Sequence, residues 1–210
     1  MTLNDQLAEV TPREDTLLTI GMFDGVHIGH QHLLKRLRQL AIDKGLLAGV
    51  VTFKNHPSKV LRPKARVQLI APLAMRKSLI RNVGIEFIAD LEFTQEFSLL
   101  LPDEFISLLI KELKMKGLVI GPDFAMGHNR KGNIPAIQTL AKKMDFHLEV
   151  MEPSMLSGQI VKSSDIRTLV AAADVHKASK MLGRPFALIG IVGHGEKRGR
   201  VLGFPTANLK

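Results

Sequence analysis

Cysteine, Trp and Tyr are all missing from this sequence of 210 residues. Without cysteine there are no disulfides, no thiolate metal sites and no thiol nucleophiles. Without Trp or Tyr the aromatic complement is 10 Phe, largely inside apolar patterns, which leaves few platforms for stacking unpaired bases. No recognised nucleic-acid-binding motif accompanies them, so nucleic acid is not an expected partner. Long hydrophobic runs are lacking as well: nothing approaches the roughly 20 apolar residues of a membrane span. The opening stretch MTLNDQLAEVTPRED is too polar for a secretory leader. A cytoplasmic protein with no membrane attachment is expected.

What is present is an ordinary globular balance, 45% hydrophobic and 23% charged, with a net charge of +9 from 29 Lys and Arg against 20 Asp and Glu. A basic surplus of that size suits a chain that handles polyanions, either nucleic acid or phosphorylated small molecules. Short β-prone segments recur at TLLTIG (16–21), LLAGVVTF (46–53), IEFIADL (85–91), GLVIG (117–121) and HLEVM (147–151). Helical patterns separate them. Leu33, Leu34, Leu37, Leu40 and Ala41 fall on one face ahead of Gly45, and PLAMRKSLIRNVG (72–84) also ends in Gly. PDEFISLLIKELKM (102–115) opens acidic and closes basic, as the helix dipole favours, and IPAIQTLAKKMD (134–145) follows. Five strands with helices between them predict an α/β domain on a mostly parallel sheet.

After residue 180 the pattern changes. FALIGIVGHGEKRGRVLGFPTANLK predicts two strands around a Gly-rich basic turn with no helix to follow, the beginning of a β-barrel with too few strands to close. The division expected is therefore 1–180 and 181–210. Phe186, Leu188, Ile189, Ile191 and Val192 would find no barrel interior, which predicts self-association through this segment.

The stretch GMFDGVHIGH (21–30) sits between a strand and a helix. Its glycines are spaced by four, which is not the G-x-G-x-x-G of dinucleotide folds, and no G-K-[ST] of a P-loop follows. What remains is His27-Ile28-Gly29-His30 at a helix start. A helix N-terminus offers free N–H groups to an anion, Gly29 lets backbone approach it, and two imidazoles three residues apart can donate to phosphate oxygens. A zinc site fits poorly, since no third ligand stands at metal spacing. Further on, Ser163 or Ser164 of KSSDIR can cap a helix, and Arg167, one turn in, can fork onto phosphates.

GMFDGVHIGH resembles the signature of the HxGH nucleotidyltransferases. The wider pattern is similar to that of the bacterial riboflavin kinase/FAD synthetase family over nearly the entire chain. TFKNHP resembles that family's Thr-Phe-x-Pro-His-Pro segment with Asn55 at the first Pro. LPDEFI and VIGPDFAMGHNRKGN resemble its central segments, VKSSDIR its Ser-Ser-Thr-x-Ile-Arg, and the stretch from LGRPF to PTANL the opening of its kinase module. Ala125 and Met126 stand where the family carries Arg and Phe, Lys162 and Ser164 depart from its Ser-Ser-Thr, and Asn133 replaces an expected Asp.

The resemblance implies a Rossmann-like nucleotidyltransferase domain with a five-stranded parallel sheet, followed by an incomplete β-barrel segment. It implies FMN and ATP as substrates, with AMP transferred to FMN to give FAD and pyrophosphate, and Mg²⁺ accompanying ATP. His27 and His30 would be catalytic. Gly21, Phe23, Asp24, Gly25, Gly29, Ser163, Ser164 and Arg167 would join them in holding ATP. His56, Pro57, Asp123, Phe124, Asn129 and Arg130 would hold FMN. Thr206 and Asn208 would hold a metal in an intact kinase module. Riboflavin phosphorylation is expected to be absent, the chain being a natural truncation or a fragment. The competing expectations are a nucleotide- or flavin-binding protein without turnover, and an HxGH enzyme with another phosphorylated acceptor.

Overall fold

The computed structural model describes residues 2–64, 67–156, 158–193, 195, 198–201, 203–204 and 208–209. The five apolar segments marked as strands form one parallel sheet. They are β1 (Thr16–Ile20), β2 (Leu47–Phe53), β3 (Phe87–Leu91), β4 (Met115–Ile120) and, after a short hairpin of β5 (Ala125–Met126) and β6 (Gly132–Asn133), β7 (His147–Val150). Their order is β3-β2-β1-β4-β7, so the chain winds outward from β1 in one direction, returns, and winds outward in the other. That reversal lies between β1 and β4.

Alternation along each strand supplies both faces. Leu18, Ile20, Val51, Leu118 and Ile120 pack on one side with Leu7, Phe105, Ile106, Leu109 and Ile137. Those partners come from α1 (Leu3–Ala8), α6 (Pro102–Glu112) and α7 (Ile134–Met144). Leu17, Val50 and Val119 face the other way onto α2 (Ile28–Lys44) and α4 (Leu73–Asn82). The α2 face is the expected one, burying Leu34, Leu37, Leu40 and Ala41, and the helix ends at a left-handed Gly45. Each such Leu contributes roughly 1.5–3 kcal/mol through burial. Leu37→Ala would remove one fully buried contact, at about 2–5 kcal/mol.

Some elements differ from expectation. The helix opened by Pro102 stops at Glu112 rather than 115, because Met115 already belongs to β4 and is buried beneath it. Four helices carry no sequence expectation: α1, α3 (Pro57–Leu61), α5 (Gln95–Leu99) and α9 (Val175–Leu182). All are short, and eight residues or fewer give little periodicity to read. The helix through SDIRTLV is α8 (Ser163–Ala171), which follows the hairpin β8 (Met155–Leu156) and β9 (Gln159–Ile160). Neither Ser163 nor Ser164 caps α8. Lys162 holds the cap position without a side-chain bond, and Ser163 Oγ is drawn instead to the carbonyl of Asp24 at 3.0 Å.

Leu182 and Phe186 still pack with Ile70, Val161, Ile166 and Ala178 of the first unit. Beyond them, β10 (Val192–Gly193) pairs antiparallel with β11 (Asn208–Leu209), and a four-residue helix, α10 (Arg198–Val201), lies between them. The strand pair matches expectation, and α10 stands within the stretch expected as a Gly-rich basic turn. Leu188, Ile189, Ile191 and Val192 are largely exposed.

Candidate active site

Open α/β sheets bind ligands beyond the carboxyl ends of the strands, where the strand order reverses. A cleft of about 900 Å³ opens there. Gly21 and Met22 enter it from the end of β1, Phe53 from β2, Gly121 to Asp123 from β4 and Met151 from β7. The first turn of α2, the β5–β6 hairpin and the start of α8 complete its walls.

The turn from β1 to α2 is strained. Phe23 (φ 48°) and Val26 (φ 40°) occupy left-handed backbone, which is rare for a β-branched residue. Such conformations cost about 1–3 kcal/mol each and persist only where neighbours over-determine them. Here they do. Asp24 is buried, and its carboxylate accepts from the N–H groups of Ile70 (3.0 Å) and Ala71 (3.2 Å). Arg167 donates to the same carboxylate from Nε (3.2 Å) and Nη2 (2.8 Å). The Gly25 carbonyl accepts from Arg184 (2.6 Å) and that of Val26 from Gln31 (2.9 Å). Gly25 has φ +78°, and a Cβ there would stand 2.8 Å from Ile70 Cγ2.

The turn delivers His27 to the α2 N-cap position, where Nδ1 accepts from the N–H of His30 at 3.3 Å. That bond places the ring proton on Nε2 and leaves it as a donor. The two imidazoles stack with centroids 3.7 Å apart and planes 18° from parallel. A Cβ on Gly29 would lie 3.2 Å from the His27 ring, so only glycine accommodates that ring position without displacement. Burial pushes His27 down to about 4; the Arg184 cation adds to the effect, while Asp24 and Asp123 oppose it. Burial, reinforced by His27, holds His30 well below the usual histidine range. Both rings are neutral near pH 7. His30 Nδ1 is buried and has no hydrogen-bond partner in the protein, a donor or acceptor still to be satisfied beside the cleft.

Comparison with known proteins decides the family. Residues 10–165 match the model described as FAD synthetase, and residues 182–210 match that described as riboflavin kinase. The chain belongs to the FAD synthetase family. It is 39% identical over 197 residues to the bifunctional riboflavin kinase/FMN adenylyltransferase of Bacillus subtilis (strain 168), covering 92% of this chain and 61% of that protein. It is 32% identical over 199 residues to the enzyme of the same description from Escherichia coli (strain K12), covering 94% and 64%. The chain thus spans a little over three-fifths of the length of these relatives. The crystal structure of a macrolide-efflux protein from Streptococcus pneumoniae superposes with a TM-score of 0.89 at 30% identity, covering 97% of this chain and 66% of that one. Among the described residues no helix is long and apolar enough to cross a membrane.

Of the residues that the FAD synthetase resemblance points to, Gly21, Phe23, His27, Gly29, His30, Ser163 and Ser164 line the cleft. So do Pro57, Asp123, Phe124 and Arg130. Asp24, Gly25 and Arg167 do not; they hold the turn from behind. The Arg167 fork, expected on phosphates, closes on Asp24. His56 is the N-cap of α3, its Nδ1 accepting from Ser58 N–H at 3.1 Å, and is absent from the lining. Asn129 is also absent, its side chain lying 3.0 Å from His128 Nε2. Thr206 lies outside the described residues, and Asn208 stands exposed in β11. Among the described residues no group of three or more His, Cys, Asp or Glu is placed to hold a metal ion.

Sequence reasoning missed the aromatic end of the cleft. Phe53, Phe93, Phe97 and Phe105 meet at centroid distances of 5.0–5.5 Å and contribute to its lining. The signal that could have found Phe53 is its place at the carboxyl end of a strand beside β1. Asn55, at the position of the family's Pro, exchanges two 2.8 Å hydrogen bonds with the backbone of Phe93. Arg76, also missed, is fully buried and donates to the carbonyls of Met22 (2.8 Å) and Phe53 (2.7 Å).

Proposed function

We propose that the chain is an FMN adenylyltransferase, transferring AMP from Mg-ATP to the phosphate of FMN with release of pyrophosphate. The observation that carries the reading is the stacked pair His27 and His30 at the start of α2, facing a cleft whose other end is built of phenylalanines. An FMN phosphate oxygen attacks the α-phosphorus of ATP, the new P–O bond forms, and the bond to pyrophosphate breaks. No protein nucleophile is required. The chain's part is to align two anions and to stabilise charge as it develops.

The free N–H groups at the start of α2 and the Nε2–H of His27 serve the ATP phosphates, and neutral His30 supports them through the stack. Gly29 admits the phosphate. Ser163, Ser164 and Lys162 bound the nucleotide from the α8 side. The Phe53–Phe97 end, with Pro57, Asp123, Phe124 and Arg130, receives the flavin ring and its chain. Asp24, Gly25 and Arg167 act by holding the turn. Mg²⁺ enters as part of the ATP substrate, held by phosphate oxygens and water. The unit proposed for this chemistry comprises residues 1–180 together with the segment that packs on it up to Phe186. Self-association through the exposed Leu188, Ile189 and Ile191 belongs to the same proposal.

One observation favours a second reading, binding without turnover: Ala125 and Met126 line the cleft where the family pattern carries Arg and Phe. Purified protein incubated with Mg-ATP and FMN, with a parallel riboflavin arm, distinguishes them by chromatography for FAD, FMN and pyrophosphate. FAD from FMN that disappears in His27→Ala supports the adenylyltransferase. Bound ATP with no pyrophosphate supports the second reading. Removal of a preorganised donor of this kind lowers turnover by about 10²–10³.

A further inference from the structure

We propose that Arg184 is a positioning residue for the adenylyltransferase site, clamping the strained turn that presents His27 from within the segment matched to riboflavin kinase. The inference rests on the adenylyltransferase reading. The FAD synthetase match ends at residue 165, and Arg184 falls in the 182–210 match. Its side chain nevertheless reaches back 159 residues to Gly25.

The geometry favours the turn over the helix that carries it there. Nη2 donates to the Gly25 carbonyl at 2.6 Å, and Nη1 to that of Val26 at 3.3 Å. The bond to Leu182, at the end of α9, is the longest at 3.4 Å. Gln31 Nε2 bridges the carbonyls of Val26 and Leu182 at 2.9 Å each, so the turn and the end of α9 are tied twice. Left-handed Gly183 seats this junction against Ile28 in the first turn of α2, where a Cβ would come within 2.9 Å.

Charge points the same way. No carboxylate among the described residues pairs with Arg184, and its Nε is buried without a partner. Among the described residues every acceptor of its guanidinium is a backbone carbonyl, and burial lowers its pKa. Even half-buried, a cation without a counter-ion carries a desolvation cost. A helix-end anchor could be built from an apolar side chain, whereas a planar fork holds two consecutive carbonyls of a left-handed turn at fixed spacing. Release of Arg184 frees Gly25 and Val26, and with them the cap geometry of His27. The segment leading into β10 is therefore mechanically connected to the catalytic histidines.

The test uses the full chain and its Arg184→Ala and Arg184→Lys variants. Mg-ATP affinity is read calorimetrically, FAD formation chromatographically, and thermal midpoints serve as a folding control. Arg184→Ala should lose about ten- to hundredfold in both affinity and FAD formation, the scale of lost charged hydrogen bonds. Arg184→Lys, able to reach one carbonyl but not both, should fall between. Millimolar guanidinium chloride should restore the Ala variant, and sodium chloride of equal strength should not. Unchanged affinity and turnover in Arg184→Ala, or losses that guanidinium leaves untouched, overturn the proposal. Wild-type protein that binds Mg-ATP but forms no FAD removes the adenylyltransferase reading, and the clamp is then judged on affinity and rescue. Wild-type protein that binds no Mg-ATP overturns both.

Discussion

The turn at 21–30 and the stretch from 187 to 209 are both glycine-rich, and each carries histidine and a motif of its family, yet their described residues are held differently. In the first, Asp24, Gly25 and Val26 are bonded to residues 46 to 159 positions away. In the second, two-residue strands pair with each other while Leu188 (72%), Ile189 (69%) and Ile191 (79%) remain exposed. Glycine supplies freedom in both. In the turn, distant side chains remove that freedom again.

If that contrast is physical, breaking the ties at the turn must matter far more than altering the tail. Asp24→Ala strands Arg167 and two amide N–H groups together, and should lower stability by about 3–5 kcal/mol in urea denaturation. A loss near zero would show the ties to be incidental. Acid provides the next test. His27 is depressed from its ordinary value to about 4, so the unfolded chain takes up a proton that the folded chain refuses. Stability is therefore undiminished above the unfolded pKa and falls as pH drops from about 6.5 toward 4, by about 3 kcal/mol at the limit. Denaturation midpoints measured across that window should fall less steeply in His27→Gln than in the wild type.

Gly25→Ala should then cost about 1–3 kcal/mol, combining left-handed strain with contact on Ile70. Thermal unfolding reads it, and Ile70→Val should relieve part of the effect in the double variant. Leu188→Ser and Ile191→Ser come last, with stability changes within about 0.5 kcal/mol. Sedimentation over a concentration series should show both to be less associated than the parent chain. A tail variant as damaging as Asp24→Ala would abolish the contrast.

The sheet was legible because its strands alternate with helices that carry strong periodicity, such as Leu34, Leu37 and Ala41. The histidine pair was legible because His27, Gly29 and His30 lie within four residues. What could not be read were interactions that depend on three-dimensional closure. Nothing local to Arg167 announces that its Nε and Nη2 meet Asp24, 143 residues earlier. Phe93 and Phe97 belong with the core, and only the end of β2, which brings Phe53 beside them, makes them cleft lining as well. Arg184 lies in LGRPF, a stretch that points to the kinase module and not to the turn, and its acceptors are carbonyls, which every residue has.

Arg76 carries one more consequence. A single planar group holds the last carbonyl of β2 and the carbonyl two residues past β1, with no exposed surface of its own. Strand ends ordinarily fray first in hydrogen exchange. Here, separating either end would uncover a buried cation, so the two can open only together. The slowly exchanging core of the sheet should therefore extend to the floor of the cleft, and its amides should exchange there as one cooperative unit.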